Sequence, residues 1–410
     1  MRIVDLFSGA GGLTFGFYYK NQDNRFIKDT ENSIVFANEL DADAAKSFSL
    51  NYPDITMLNQ DIRSIDELTI RELIGNEPVD LVIGGPPCQS FSTVGQRRFD
   101  DKAKLYKEYY RLLTIIKPKM FLFENVKGLL SMREVFYKLD EECNIVFEST
   151  DSKEKTSLNP RKKPVIDHYG NLIINILKEQ FEEIGYSIDY DTINAVNFGV
   201  PQNRERVVII GCRNDLKIEW SFPKATCQTA LTIKEAISDL PRVGEGQNKK
   251  EYRSDPKNPY QRLMRGQCNT ITHHYCGRYG DKIRTVIKNV KQGQGKNDFN
   301  KLVDDGLVSE KYRLTSGYPN TYGRLVANLP SPTITNNLST PSGLRCIHYR
   351  QNRALTPREG ARIQSFPDWF VFCGNKESVT RQIGNAVPPL LALVFAKQIK
   401  SVLKGDKCDE

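Results

Sequence analysis

Val4-Asp5-Leu6-Phe7-Ser8-Gly9-Ala10-Gly11-Gly12 opens the chain as an apolar strand that empties into a glycine turn at the start of a helix. Little else in the sequence leaves the fold so few choices. Glycine tolerates positive φ and lets the backbone approach a ligand, and in open α/β sheets such turns lie at the carboxyl edge where nucleotide-like ligands bind. The same grammar continues to about residue 211, where apolar runs alternate with helical patterns as a doubly wound, mostly parallel α/β sheet requires. Strands are expected at Ile3–Phe7, Ile34–Asn38, Asp80–Gly84, Met120–Phe123 and Val207–Gly211. Leu105, Tyr109, Leu112, Leu113 and Ile116 recur at helical spacing and predict a crossover helix that Pro118 ends.

Beyond this, Asp140 to Pro164 is polar and aperiodic and reads as an exposed insertion. From 212 to 375, Gly, Asn, Pro and basic residues interrupt short apolar pieces, which predicts a smaller irregular domain. Order returns at the end. Pro388-Pro389 can start a helix through Leu390, Leu391, Val394, Phe395 and Ile399 that packs back on the first domain. The expected division is therefore 1–211, completed by 376–410, and 212–375.

The 410 residues are 26% charged and 39% hydrophobic, as in a soluble globular protein, and contain no uninterrupted apolar run of bilayer length. The N-terminus lacks the features of a secretory signal, so a cytosolic location is expected. Nine cysteines without a CxxC pair argue for free thiols, and Cys268, His273, His274 and Cys276 lack structural-zinc spacing, so no metal is expected. A formal charge of +8 suits a solvated basic surface as well as a nucleic-acid footprint.

Three further motifs carry chemistry. Gly84-Gly85-Pro86-Pro87-Cys88-Gln89-Ser90-Phe91-Ser92 follows an apolar strand, and its two prolines stiffen the loop that holds Cys88, placing that thiol as a nucleophile instead of a core residue. Glu124, in Phe123-Glu124-Asn125-Val126, leaves another strand toward the same edge, where a partly buried carboxyl can act as general acid to a ring nitrogen. Gln202-Asn203-Arg204-Glu205-Arg206 is either a solvated basic turn or a pair of guanidiniums that orient Glu124 and hold a carbonyl oxygen or phosphate. The glycine turn alone is ambiguous, since GAGG only partly matches a dinucleotide fingerprint. Glu39 is suited to ribose hydroxyls and Asp61 to an adenine amino group, although each also reads as a plain surface acid.

DLFSGAGG, GGPPCQSFS, ENV, QNRER, RALTPRE and IGNAVPP occur in this order, and together they resemble the DNA cytosine-5 methyltransferase family of the bacterial restriction-modification type. The resemblance implies a Rossmann-like S-adenosylmethionine-dependent methyltransferase fold with a target-recognition domain. It implies that Cys88 attacks C6 of a flipped cytosine, that Glu124 engages N3, and that Arg204 and Arg206 support the cytosine O2 and Glu124. The donor is then expected over Phe7, Ser8, Gly9, Gly11 and Gly12, with Glu39 on the ribose and Asp61 and Ile62 at the adenine. Pro86 and Leu105 are expected to add walls, and Asn385 and Val387 to close the site.

Gln89, Ser90 and Ser92 are expected to contact DNA, as are basic residues of the recognition region, among them Arg262, Arg265, Arg278, Arg284 and Arg324. Tyr322-Gly323-Arg324 and Pro332-Thr333-Ile334-Thr335, by contrast, read as ordered framework. The implied partner is double-stranded DNA, bound by a monomer without a membrane. A cognate restriction endonuclease would act on the same site without a stable complex, and the implied location is the bacterial cytoplasm at the nucleoid. Two rivals remain: a tRNA cytosine-5 methyltransferase on the same scaffold, and a DNA-binding module that has lost catalysis.

Overall fold

The computed structural model describes residues 1–86, 105–137, 147–149 and 162–405. The main sheet has seven strands: β1 (Arg2–Leu6), β2 (Ser33–Asn38), β3 (Thr56–Leu58), β4 (Leu81–Gly84), β5 (Met120–Val126), β6 (Tyr186–Asn194) and β7 (Glu205–Arg213). Their order is β6-β7-β5-β4-β1-β2-β3. Pairings from β5 through β3 are parallel, and β7 runs antiparallel to both neighbours. All five expected strands are present, with β5 and β7 longer than the apolar runs suggest. The short strand β3 and the polar edge strand β6 are not predicted by the sequence; in β6 only Tyr186 and Ile193 are buried.

Alternate residues of the strands sort into two cores. Ile3, Ile83, Leu122 and Ile210 face one cluster, while Val4, Leu6, Val82, Phe121, Phe123 and Ile209 face the other. Helices cover both faces, so strand interiors can be apolar throughout. They include α1 (Gly12–Tyr18), α2 (Ala42–Asn51), α3 (Glu67–Ile74), α4 (Tyr106–Ile116) and α5 (Ile173–Glu183). The base of the insertion has its own pairing, since 133–137 runs antiparallel to 166–172 and 147–149 to 162–164.

The remaining helices are α6 (Ile233–Ile237), α7 (Pro259–Arg265), α8 (Asp281–Asn289), α9 (Lys296–Asp304), α10 (Pro357–Ile363), α11 (Lys376–Asn385) and α12 (Pro389–Lys404). Helix α12 returns to the first domain so closely that a Cβ on Gly16 of α1 would lie 2.1 Å from the Ala392 carbonyl carbon. The core crosses the expected boundaries at 212 and 376: Ala236, Leu263, Met264 and Ile363 share one cluster with Phe15 and Phe17. Val286, Val290, Phe299, Val303 and Leu314, in and beside α8 and α9, form a third, smaller cluster. By length and composition Lys376–Lys404 would suffice to cross a bilayer. Extended backbone at Ala386 and Pro388 breaks that stretch into two helices, and Leu391, Phe395 and Ile399 are buried in the core.

RALTPRE is an architectural device. Thr356 caps α10 by accepting from Glu359 N at 3.1 Å while its own N–H donates to Glu359 Oε2 at 2.9 Å, with Pro357 in the first turn. Glu359 also receives a forked pair of bonds from Arg353, both 2.7 Å. Arg362, with no exposed side-chain surface, bridges Asp239 at 3.0 Å and Asp368 at 2.6 Å and so ties α10 to the α6 segment.

Candidate active site

Strand order reverses beside β1, which has β2 on one side and β4 on the other, and ligands of open α/β sheets bind at the carboxyl end of such a switch. A cleft of about 1900 Å³ opens there. That exceeds the roughly 300–1,000 Å³ of an ordinary small-molecule site, so a second occupant fits beside a nucleoside-sized one.

One side of the cleft is built by the turn after β1. Phe7 and Gly9 both adopt left-handed backbone, with φ 58° and 56°. A Cβ on Gly9 would meet nothing within 4 Å, so its glycine serves backbone conformation and an open face. Gly9 N donates to Glu39 Oε2 at 2.8 Å, and Asp41 N donates to Oε1 at 2.7 Å, fixing the Glu39 carboxylate at the cleft. Ser8 donates from both N and Oγ to Asn38 O, at 3.0 and 3.2 Å, which joins the β1 turn to the end of β2. Asp61 also lines the cleft, where Arg63 Nη2 bonds it at 2.6 Å and holds its carboxyl below the usual range.

Of the residues expected at the donor, all but Gly11 line this cleft. Gly11 instead lies beneath Tyr52, whose hydroxyl donates to its carbonyl at 2.6 Å, and a Cβ there would lie 2.2 Å from the Tyr52 ring. Packing on Tyr52 accounts for the glycine at this position. The sequence reading misses Leu40 and Asp5. Leu40 is 64% exposed within the cleft, an apolar surface for a planar ring beside Glu39. Asp5, 1% exposed below the turn, accepts from Thr14 through Oδ2 while Oδ1 has no partner among the described residues, and burial pushes its carboxyl up to about 8. Carboxylates at Glu39 and Asp61 with the apolar faces of Phe7, Leu40, Ile62 and Leu105 suit a nucleoside bearing a cationic tail.

Cys88, Gln89, Ser90 and Ser92 lie outside the described residues. The loop leading to Cys88 is anchored up to Pro86: Asn125, buried next to Glu124, donates from Nδ2 to Pro86 O at 3.4 Å. A Cβ on Gly85 would lie 3.0 Å from Glu124 Oε2, so this backbone runs directly against the carboxyl. Arg206 Nε is 3.0 Å from Glu124 Oε1, a largely buried ion pair with only 12% of either side chain exposed. Burial pushes the Glu124 carboxyl up, and Arg206 and Arg204 oppose it.

The two arginines differ in function. Arg204, 1% exposed, donates to Ile334 O at 3.2 Å and to Gly384 O and Ala386 O at 2.9 Å, holding three segments of the cleft wall together. It supports the site as an architectural clamp, whereas Arg206 is the arginine in contact with Glu124.

None of the recognition-region arginines expected at DNA lines the cleft. Arg324 is corrected outright: it is 7% exposed, and its guanidinium bonds the carbonyls of Ile287, Val290, His348 and Gln351 at 2.6–3.0 Å, as framework. Arg265 stacks on Tyr252 at 3.7 Å, Arg284 pairs with Glu245 at 2.9 Å, and Arg262 and Arg278 are exposed away from the cleft. That wall is instead supplied by Tyr318, Thr321, Asn337, Ser342 and Arg345.

Comparison with known proteins agrees with this geometry. The model of the C-5 cytosine-specific DNA methylase family matches residues 1–150 and 163–401. Type II methyltransferase M.AgeI of Thalassovita gelatinovora is 31% identical, over 98% of this chain and 99% of the relative. Type II methyltransferase M.DdeI of Desulfomicrobium norvegicum is 31% identical, over 97% and 88%. A solved E. coli prophage protein described as a DNA modification methyltransferase shares the fold with a TM-score of 0.70 at 24% identity, covering 98% of this chain and 99% of that one. With its matched blocks spanning nearly the whole sequence, the chain belongs to the C-5 cytosine-specific DNA methylase family.

Proposed function

We propose that the protein is a site-specific DNA cytosine-5 methyltransferase that transfers a methyl group from S-adenosylmethionine to a flipped cytosine through a covalent Cys88–C6 adduct. The observation that carries it is the meeting of Glu124, Arg206 and the Gly85-Pro86 backbone leading to Cys88, in the same cleft as the Gly9–Glu39 turn. Aromatic C5 is too poor a nucleophile to take a methyl group unaided, and covalent addition at C6 removes the aromaticity that holds it back. The Cys88 thiolate forms the S–C6 bond while Glu124 hydrogen-bonds or protonates N3, which moves electron density to C5.

Phe7, Ser8, Gly9, Gly12, Glu39, Asp61, Ile62, Pro86, Leu105, Asn385 and Val387, which line the cleft, would hold S-adenosylmethionine, and it would supply the electrophilic methyl group for C5. Loss of the C5 proton to a base then restores the double bond and expels the Cys88 thiolate. Arg206 orients Glu124 and faces the cytosine O2. Extruding the base costs a few kcal/mol, which contacts to the backbone and grooves must offset.

The names of the relatives as Type II methyltransferases support a protective role beside a restriction endonuclease that acts on the same site without a stable complex. We assign the enzyme to double-stranded DNA as a monomer in the bacterial cytoplasm. Bisulfite sequencing of plasmid DNA from a methylation-free host expressing this chain tests the reading, with Cys88→Ala as control. Protected cytosines at one short motif, only with Cys88 intact, are expected. Equal protection with Cys88→Ala would overturn the covalent mechanism, and none from folded wild type would overturn the DNA substrate.

A further inference from the structure

We propose, resting on the DNA-methylase reading, that Arg345 binds a backbone phosphate of the target strand beside the extruded nucleotide. Among the described residues, it is the only cationic side chain that residues 212–375 contribute to the cleft. Neighbouring arginines are committed elsewhere: Arg284 to Glu245, Arg313 to Asp304, and Arg324 to backbone carbonyls. The Arg345 guanidinium, exposed at the cleft, makes no hydrogen bond or ion pair with any described residue.

Its backbone is held in an unusual state. Arg345 has φ 46°, the left-handed region that a long side chain rarely enters and that persists only where its surroundings over-determine it. Those surroundings are visible. Arg345 N donates to Asn320 O at 3.3 Å, Ile347 N donates to Gly323 O at 3.0 Å, and Thr321 bridges to Leu344. A Cβ on Gly323 would lie 2.7 Å from Arg345 Cγ, so glycine there admits the close approach that fixes the arginine's stem. A strained cation at a cleft, unpaired among the described residues, is placed for an anionic partner.

The choice of phosphate follows from burial. Glu124 keeps only 12% of its side-chain surface exposed, whereas Arg345 is exposed, so a nucleotide inserted base-first puts its base at Glu124 and its phosphates toward the rim. Asn337, exposed on the same wall, can donate its side-chain amide to a phosphate oxygen.

The test measures binding of a duplex carrying the methylated motif to the full chain with S-adenosylhomocysteine, at several salt concentrations, for wild type, Arg345→Gln and Arg345→Lys. Arg345→Gln should weaken binding ~10-fold near 0.1 M salt and flatten the slope of log K against log salt by about 0.9, with the methylated sequence unchanged. Arg345→Lys should keep most of the affinity and the slope, because phosphate accepts a point charge. A wild-type slope in Arg345→Gln overturns the proposal. So does an Arg345→Lys protein that loses affinity while methylation relaxes at one base pair, which marks a forked base contact. Unchanged S-adenosylhomocysteine affinity confirms folding. Wild type that binds DNA yet methylates nothing would overturn the methylase reading, and the slopes would still decide Arg345.

Discussion

Glu124 and Asp5 are both buried carboxyls pushed upward, yet only Glu124 has cationic neighbours opposing the shift. In the proposed mechanism, burial that raises the Glu124 carboxyl favours its service as proton donor to N3, and that service should fail as pH rises through the raised value. Glu124→Gln keeps the shape but cannot transfer a proton. Steady-state kinetics should show kcat reduced by about 10²-fold or more, with the alkaline limb due to this group gone. Asp5 should register in stability. The folded state retains a proton that the unfolded chain releases near pH 4, so the Asp5 contribution is complete below about pH 4 and is lost as pH rises toward 8. Asp5→Asn should unfold in denaturant with a stability that declines less than wild type between pH 5 and 8. An equal decline in both would remove Asp5 as its source.

The contact between α1 and α12 links the donor turn to the C-terminal helix. Replacing a helical glycine with alanine ordinarily stabilises by roughly 0.5–1 kcal/mol. At Gly16 the added methyl would meet Ala392 backbone at 2.1 Å, and forced repacking of that kind costs about 1–3 kcal/mol. The clash outweighs the helical gain. Gly16→Ala should therefore lower Tm and weaken S-adenosylhomocysteine binding together, measured by thermal unfolding and calorimetry, because α1 begins at the donor turn. A raised Tm would show that the two helices separate freely.

Across the whole molecule, Arg362 carries the connection between α10 and the α6 segment. Arg362→Leu leaves Asp239 and Asp368 buried without the cation they share, a change that typically costs 3–5 kcal/mol. Denaturant unfolding should show that loss, and adding Asp239→Asn and Asp368→Asn should recover part of it. Failure of the triple variant to recover anything would mean that Arg362 acts through its backbone contact at Ala236 instead.

The sequence by itself determined five of the seven strands and pointed to the chemistry. Apolar runs bounded by turns specify β1, β2, β4, β5 and β7, because strands buried on both faces need near-continuous hydrophobicity. The motifs mark Glu39, Asp61, Glu124 and Arg206, which the fold brings to one cleft. Only the tertiary structure separated chemistry from architecture. Gly11, Arg204 and Arg324 look functional in sequence, but a glycine beneath a ring and a guanidinium on carbonyls differ from ligand-facing ones only by what packs on them. Core continuity across 212 is equally invisible, since Ala236, Met264 and Ile363 join Phe15 and Phe17 through contacts distant in the chain. Arg345 carries no local signal at all; its exposure, its backbone and its place on the cleft exist only once Gly323 has packed against it.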